Sequence, residues 1–342
     1  MTARIVEIYL PEAEAPALEA VLARHSRRFW REVVPGPLEK YSCIVQQRYT
    51  ERLLDELEAR FGALPDFTAH VARLEAVLPS VEENAASALP LDPDLRPPTA
   101  LERFFSRDRL STDELYADIR ESLRLRPAYL LTVTLSAIIA ALGMRSSQTA
   151  VVIGAMVIAP LLGPTLGLAL AATVGNARIG RRAATTLAAG SLCAILAGVL
   201  VAQFVSFDPF TPELLNRTLV QPADVALALA CGAAGVLAFS QGASLALVGV
   251  MIAVALVPPL AAAGLYAGAG YAAAGASAIF LFAVNLTCVN VAGILTFLLQ
   301  GLPPKNWRLT GGILSIWVGL LVLLTASIAG RIVLDLGPLG TF

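Results

Sequence analysis

Charged residues are scarce in this chain, and those present are unevenly distributed. Of its 342 residues, 15% are charged and 56% are hydrophobic, whereas a soluble domain carries about 25% charged residues. Of the 25 basic and 26 acidic side chains, 39 lie in residues 1–127 and only 12 in residues 128–342. This deficit excludes an ordinary soluble protein, and it predicts a polar N-terminal part followed by a membrane-embedded part.

Cysteine and histidine are also rare, which argues against metal and redox chemistry. The four cysteines lie far apart without a Cys-x-x-Cys pair, and small buried side chains explain them. The two histidines, His25 and His70, have no further metal ligands at suitable spacing. No cofactor is therefore expected. The N-terminus lacks the long apolar run of a cleaved signal peptide, so the polar part is expected to stay in the cytoplasm.

Residues 1–79 show the pattern of a small α+β domain. Strands are predicted at Arg4–Leu10, Phe29–Val34, Tyr41–Arg48 and Phe67–Leu74. One helix is predicted after the first strand, and a second, capped by Thr50, after the third. The order βαββαβ predicts a ferredoxin-like sandwich.

Residues 80–127 are predicted to link this domain to the membrane. A Pro- and Asp-containing connector at 80–109 precedes Ser111-Thr-Asp-Glu114, a capping box that opens an amphipathic helix ended by Pro127. Its last turn carries Arg120, Arg124 and Arg126. The arginines are expected near lipid phosphates at the cytoplasmic surface, although a solvated linker helix remains an alternative.

Residues 128–342 are predicted to form a membrane domain of about seven transmembrane helices, because the apolar runs are long enough to cross roughly 30 Å of hydrocarbon. The predicted segments are 128–143, 149–174, 182–206, 223–240, 244–268, 273–300 and 309–333. Basic residues in the loops before the third and seventh segments, among them Arg178, Arg181, Arg182, Lys305 and Arg308, place these loops in the cytoplasm.

The membrane domain contains a weak internal repeat. Gly154, Met156 and Pro164 recur as Gly249, Met251 and Pro259, 95 positions later. Residues 128–206 and 223–300 would then be equivalent, with 309–333 as an extra helix. Each copy has three segments, so the second copy must enter the membrane from the opposite side. The sequence therefore predicts a 3+3 inverted repeat, as found in several transporters.

Both copies contain a segment that proline and glycine should break. Pro160 and Pro164 lie in one, and Pro258 and Pro259 in the other. Proline removes a backbone donor, and such breaks survive in membranes only where protein or a water-filled cavity satisfies the freed groups. The alternative is a packing kink, because Gly163-x-x-x-Gly167 and Gly264-x-x-x-Gly268 would let helices approach closely.

The site is predicted to lie between the two broken helices. Its proposed binding residues combine the break residues with nearby polar side chains: Gln148, Thr149, Pro160, Gly163, Pro164, Ser240, Gln241, Pro258, Pro259, Asn285 and Asn290. No charged side chain or histidine lies in the interior of the first six segments, away from their ends, so proton relays and enzymatic catalysis are not expected. The sequence also has no basic stripe typical of nucleic-acid binding.

The string Gly154-Ala-Met-Val-Ile-Ala-Pro-Leu-Leu-Gly-Pro164, preceded by the run Ser136–Gly143, resembles a family of prokaryotic hydrophobic membrane proteins. The family is catalogued as domain of unknown function 389, and the resemblance covers roughly residues 125–300. It implies a hydrophobic core, with a polar N-terminal extension in some members, and no established substrate. The second copy keeps only part of the string, so any symmetric site should be lopsided.

These patterns favour a transporter or facilitator of an unidentified small solute or ion in the inner membrane. An uncharged core rich in small residues would also suit a pore. A third possibility is a membrane-anchored sensor or assembly protein that acts through residues 1–79. The expected partners are the lipid bilayer, the solute and further copies of the chain in a homo-oligomer, but no nucleic acid.

Overall fold

A computed structural model describes most of the chain, namely residues 3–26, 28–33, 37–74, 110, 112–243, 256–302 and 307–333. The chain divides into two compact units, Met1–Leu115 and Tyr116–Phe342. The predicted connector at 80–109 lies outside the described residues. Each unit has its own core.

The first unit contains an antiparallel sheet of four strands and two main helices. Its elements are β1 (Ala3–Pro11), α1 (Ala15–His25), β2 (Phe29–Glu32), β3 (Leu38–Gln46), α2 (Gln47–Phe61) and β4 (Thr68–Leu74). The strands lie in the order β2-β3-β1-β4, and every neighbouring pair is antiparallel. The chain order βαββαβ is the predicted one and is typical of ferredoxin-like domains.

One face of the sheet is buried under the helices. Alternate β1 residues are fully buried because side chains along a strand point to opposite faces. From α2, Leu53, Leu57 and Phe61 complete the core. The predicted cap at Thr50 is wrong, because α2 begins at Gln47 directly after β3 and Thr50 lies inside its first turn.

Side-chain ion pairs and hydrogen bonds lie on the outer surfaces of this unit. His25 Nε2 lies 2.6 Å from a carboxylate oxygen of Glu56. On β2, the Glu32 carboxylate accepts hydrogen bonds from Lys40 Nζ, Ser42 Oγ and Trp30 Nε1, each 2.9 Å long. The Lys40 and Ser42 bonds, followed by the Trp30 bond, hold the pKa of Glu32 at about 2.

We expect Glu32→Gln to lower the stability of the first unit in a pH-dependent way. The folded pKa of Glu32 lies below the usual value of 4.5 for a glutamate, so its stabilisation is present above pH 4.5 and is lost as the pH falls toward 2. Urea unfolding of the full chain, with tryptophans 307 and 317 replaced by phenylalanine, reports on this unit through Trp30 fluorescence. The difference between wild type and variant should shrink over that pH range. The exposed Glu12→Gln control should show no such difference, and a pH-independent difference would contradict the assignment.

The remaining helices form the second unit, apart from α3, inside which the boundary between the units falls. They are α3 (Thr112–Ser122), α4 (Pro127–Arg145), α5 (Thr149–Ile158), α6 (Leu162–Val174), α7 (Ala177–Phe204), α8 (Pro212–Leu215), α9 (Pro222–Ser240), α10 (Val257–Gly268), α11 (Ala272–Leu299) and α12 (Trp307–Val333). Within the described residues, α4, α7, α9, α11 and residues 310–329 of α12 are long and apolar enough to cross a membrane. The bent pair α5–α6 adds a sixth span if it counts as one. The chain is therefore a multi-pass membrane protein.

The predicted segments correspond to these helices with two differences. The segment predicted at 149–174 is bent by 56°. The segment predicted at 182–206 begins at Ala177, because the Asn176 side chain caps α7 by accepting a hydrogen bond from the Ile179 N–H. The predicted loop arginines therefore lie in the first two turns of a helix: Arg178, Arg181 and Arg182.

The segment predicted at 244–268 is described only from residue 256 onward, and this part contains α10. Lys305, from the predicted loop before the last segment, lies outside the described residues, whereas Arg308 is the second residue of α12.

Helix boundaries in the second unit recur at the spacing seen in the sequence. Helices α9, α10 and α11 begin 95 positions after α4, α6 and α7, respectively. Two turns recur as well, since positive φ angles at Ser147 and Gly175 are repeated at Gly242 and Gly270. Three helix starts and two turns therefore recur at this spacing among the described residues, although few side chains are shared.

Close contacts define the relative directions of these helices. A Cβ on Gly180 would lie 3.5 Å from Ala171 Cβ, so α6 and α7 form an antiparallel hairpin. A Cβ on Gly264 would meet Gly198 and Val199, and one on Gly268 would meet Val199 and Ala202, so α10 runs parallel to α7. It follows that α6 and α10 run in opposite directions.

The approach of α7 to α10 leaves no room for a side chain. A Cβ on Gly264 would lie 2.8 Å from Gly198 Cα and 2.9 Å from Val199 N, with the Ile195 carbonyl oxygen closer still. All of these neighbours are backbone atoms, which cannot rotate away. The glycines of this pair are therefore required by packing.

We expect Gly264→Ala to destabilise the folded protein by roughly 1–3 kcal/mol or more, because the added methyl overpacks two backbones. The matched control is Gly154→Ala on α5, where a Cβ would meet nothing within 4 Å. Thermal unfolding in detergent measures both. The control should equal or slightly exceed wild type, since alanine favours helices by about 0.5–1 kcal/mol over glycine. Equal stability of both variants would contradict the close approach.

Candidate functional site

The candidate site begins at the bend between α5 and α6. Ala159 is extended, with φ −72° and ψ 119°, as expected for a residue before proline. Pro160 cannot donate to the Met156 carbonyl, and Pro164 cannot donate to the Pro160 carbonyl. Because Pro164 is the third residue of α6, its missing N–H costs that helix nothing. The prolines therefore prevent α5 and α6 from joining as one continuous helix.

Helix α10, the counterpart of α6, also carries prolines in its first turn. Pro258 and Pro259 occupy the second and third positions of α10, and Pro259 is the equivalent of Pro164. Both prolines are buried, as are Gly163 and Pro164 in the first half. Both half-helices therefore have a proline-defined start inside the protein.

Backbone groups at the first bend are only partly paired. Two backbone hydrogen bonds flank it: Ala159 N–H donates to the Ala155 carbonyl before the bend, and Thr165 N–H donates to the Leu161 carbonyl after it, both 3.3 Å long. Side chains supply further donors: Ser136 Oγ on α4 donates to the Ala155 carbonyl at 2.6 Å, and Thr165 Oγ1 donates to the Leu161 carbonyl at 2.8 Å. The bend thus presents peptide groups to a buried environment, as expected for an interrupted membrane helix.

This bend lies opposite the middle of α7. Leu161 Cδ2 would lie 3.0 Å from a Cβ on Gly190, which is halfway along that helix. On the same side of Gly190, the Tyr129 hydroxyl donates to the Thr186 carbonyl at 3.1 Å. The bend is therefore deep within the second unit and not at an end of the hairpin.

Gly163 and Gly167 allow the end of α3 to pack closely against α6. A Cβ on Gly163 would lie 2.6 Å from Ser122 Cβ, and one on Gly167 would lie 3.0 Å from Leu123 Cδ2. The end of α3 therefore lies directly against the first turns of α6. For these glycines the structure supports the packing interpretation.

Asn290 on α11 lies close to α6. A Cβ added to Gly293 on α11 would lie 3.1 Å from Ala169 Cβ on α6. Asn290 lies about one turn before Gly293 on the same face of α11. Asn290 is fully buried; its Nδ2 donates to the Leu286 carbonyl at 2.8 Å, whereas its Oδ1 has no hydrogen-bond partner. A buried, unpaired acceptor calls for a functional explanation.

Asn285 lies at the position equivalent to Gly190, 95 residues later. In the first half, Gly190 contacts Leu161 at the bend. The residue equivalent to Leu161 is Leu256, which directly precedes α10 and is buried. The 95-residue spacing therefore predicts that Asn285 lies beside the start of α10.

The remaining predicted polar residues lie at two opposite ends of the helices. Gln148 and Thr149 are exposed at the start of α5, where Thr149 Oγ1 donates to Glu213 on α8. Ser240, at the end of α9, is buried and accepts a 2.6 Å hydrogen bond from Gln300 Nε2. Contacts between α4 and α7, and between α9 and α11, are parallel, so the ends of α4 and α9 lie on opposite sides.

The predicted site residues therefore do not form one cluster. The structure places Pro160, Gly163 and Pro164 at one half-helix, and Pro258 and Pro259 at the other, with the two asparagines on α11. The residues Gln148, Thr149, Ser240 and Gln241 lie away from these prolines. Ser136 and Gln300 were missed, and only their polarity within apolar runs could have indicated them. Among the described residues, no group of His, Cys, Asp or Glu could hold a metal ion.

We expect Asn290→Leu to raise thermal stability, because it replaces a buried unpaired acceptor, which costs about 1–3 kcal/mol, by an apolar group of similar shape. Ser136→Ala is the contrasting variant and should lower stability, because it removes a donor from the buried Ala155 carbonyl. Thermal unfolding in detergent measures both changes. A loss of stability in Asn290→Leu would show that the amide serves folding instead of binding.

Comparison with known proteins adds a family and one relative. Residues 156–291 match the model of a family described as Domain of unknown function (DUF389). Over 313 residues the chain is 26% identical to an uncharacterized protein of Methanocaldococcus jannaschii, and the alignment covers 90% of each chain. No solved structure matches the chain. The matched family segment contains both half-helices, and it confirms the resemblance of this chain to the DUF389 family of prokaryotic membrane proteins.

Proposed function

We propose that this protein is a membrane transporter or facilitator of a small solute or ion, with its site between the half-helices α6 and α10. In this proposal the membrane domain, residues 128–342, consists of two inverted repeats of three spans and an additional seventh helix. The single observation that carries the proposal is that two proline-started half-helices begin at equivalent positions and run in opposite directions.

The packing of the half-helices supports an alternating mechanism. Helix α10 of the second half lies against α7 of the first, at Gly198 and Gly264. Helix α6 of the first half lies against α11 of the second, at Ala169 and Gly293. These two contacts are equivalent at the 95-residue spacing. Each half-helix thus belongs to one repeat and packs on the other, so a rocking motion between repeats would alter access to both half-helix starts.

The amides of α11 indicate what kind of solute would bind. Asn290 Oδ1 is an acceptor without a partner, so the solute should donate a hydrogen bond or carry positive charge. The equivalent residue of the first half is Ile195, and the equivalent of Asn285 is Gly190. The site would therefore be polar mainly on the α11 side, consistent with the expected lopsidedness.

The proposed orientation has the N-terminal domain in the cytoplasm and the protein in the inner membrane. Its support is the group of exposed arginines in the first two turns of α7, Arg178, Arg181 and Arg182, since basic residues favour the cytoplasmic ends of membrane helices. Assembly as a homo-oligomer is part of the proposal, because soluble α+β domains such as residues 1–79 commonly pair with an identical copy.

The flux test uses proteoliposomes and named osmolytes. Stopped-flow light scattering would follow volume recovery after challenge with NaCl, KCl, NH₄Cl, urea or glycerol. We expect at least one of these to enter faster with the full-length protein than in empty liposomes. The variant Pro160→Ala/Pro164→Ala/Pro258→Ala/Pro259→Ala should lose most of this flux, because it removes all the prolines that interrupt helix at the starts of α6 and α10. Equal rates in protein-containing and empty liposomes for all five osmolytes would contradict the proposal.

The matched control is Pro127→Ala/Pro222→Ala. These prolines are also 95 positions apart and begin α4 and α9, where proline is merely compatible with the helix start. Flux should be unchanged in this control. Unitary currents in a planar bilayer would indicate the channel alternative. Ligand binding confined to residues 1–79 would indicate a sensor.

A further inference from the structure

We propose that α3 and α7 together bind the phosphate headgroup of an anionic phospholipid, through a basic cluster formed by Arg120, Arg124, Arg178 and Arg182. This inference does not depend on the transport proposal. It rests on the contact between the two helices, on the absence of acidic partners, and on the apolar surface that continues from the cluster.

A buried hydrogen bond holds the two halves of the cluster together. Thr186 Oγ1 on α7 donates to the Leu123 carbonyl at 3.0 Å. Arg124 follows Leu123 directly, and Arg182 lies one turn before Thr186 on the same face of α7. The two arginines therefore flank one contact between the helices.

Each of these arginines has a second arginine four residues away in the sequence. Arg178 and Arg182 are both on α7, where residues at this spacing are neighbours on the helix surface. Arg120 lies in the last turn of α3, and Arg124 is the second residue after that helix ends at Ser122. The result is one pair of arginines on α7 and a second pair at the C-terminal end of α3.

The cluster has no acidic counterpart in the described structure. All four side chains are exposed, and no carboxylate lies within ion-pair distance of any of them. The nearby Glu121 pairs instead with Arg126, at 3.6 Å. Four uncompensated positive charges close together repel one another, so an anion would relieve a real electrostatic cost.

Apolar surface continues along α7 from the basic cluster. Leu192, Leu196 and Leu200 are 57%, 56% and 53% exposed and follow one another at helical spacing. Leu192 lies ten residues after Arg182, or about 15 Å along the helix. An anionic headgroup followed by an exposed apolar stripe matches a phospholipid, whereas free phosphate would use only the arginines and a phosphopeptide would not need the leucines.

The experiment measures thermal stabilisation of the full-length protein in detergent. Dioleoylphosphatidylglycerol, dioleoylphosphatidylcholine and inorganic phosphate would be titrated separately. We expect only phosphatidylglycerol to raise the melting temperature strongly. In Arg124→Gln/Arg182→Gln its apparent affinity should fall roughly 30-fold, because each basic residue near an anionic lipid surface contributes a factor of about five.

The control is Arg145→Gln, which removes an exposed arginine from the far end of α4. It should retain the full phosphatidylglycerol effect. If the double variant does not fold, Arg120→Gln/Arg178→Gln makes the same test with the other two members of the cluster. An equal shift with phosphatidylcholine, an equal shift with inorganic phosphate, or an unchanged shift in a folded double variant would overturn the proposal.

Discussion

The close approach of α7 and α10 at Gly198 and Gly264 determines how the membrane unit is assembled. Their backbones lie so near one another that a methyl group would collide with main-chain atoms. In a bilayer, where lipid is as apolar as leucine, such contact is a principal source of helix association. Because α10 is thereby held parallel to α7, and α6 is antiparallel to it, the two half-helices run in opposite directions.

Packing of neighbouring helices around the bend between α5 and α6 allows the interrupted helix to exist in a membrane. A bend frees peptide groups, and an unpaired group in hydrocarbon is costly. Here the bend at Pro160 lies against other helices, so Ser136 can donate to the carbonyl of the last α5 turn. Glycine at 190 allows Leu161 and the Tyr129 hydroxyl to reach the middle of α7. Prolines create the bend, but neighbouring helices determine whether the protein can keep it.

Helices of residues 128–206 and 223–300 that begin at equivalent positions carry different chemistry. At the end of α10, the Gly268 carbonyl accepts a hydrogen bond from Gln203. At the equivalent end of α6, the Thr173 carbonyl accepts one from Thr310 on α12. Helix α12 thus supplies the hydrogen-bond donor at the end of α6, whereas α7 supplies it at the end of α10. Asn285 and Asn290 replace Gly190 and Ile195 in the same manner, which concentrates polar groups on α11.

Local sequence patterns determined which elements form. Apolar runs predicted most membrane helices within a few residues, local strand and helix patterns predicted the chain order βαββαβ, and proline positions predicted the bend, because each depends on the chain close by. Tertiary structure alone decided the rest. Thr50 does not cap α2 because β3 leads directly into that helix at Gln47. Helix α7 includes the predicted loop arginines because Asn176 caps it ahead of them. The predicted polar residues separated into distant groups because helix direction and packing, not spacing along the chain, decide which side chains meet.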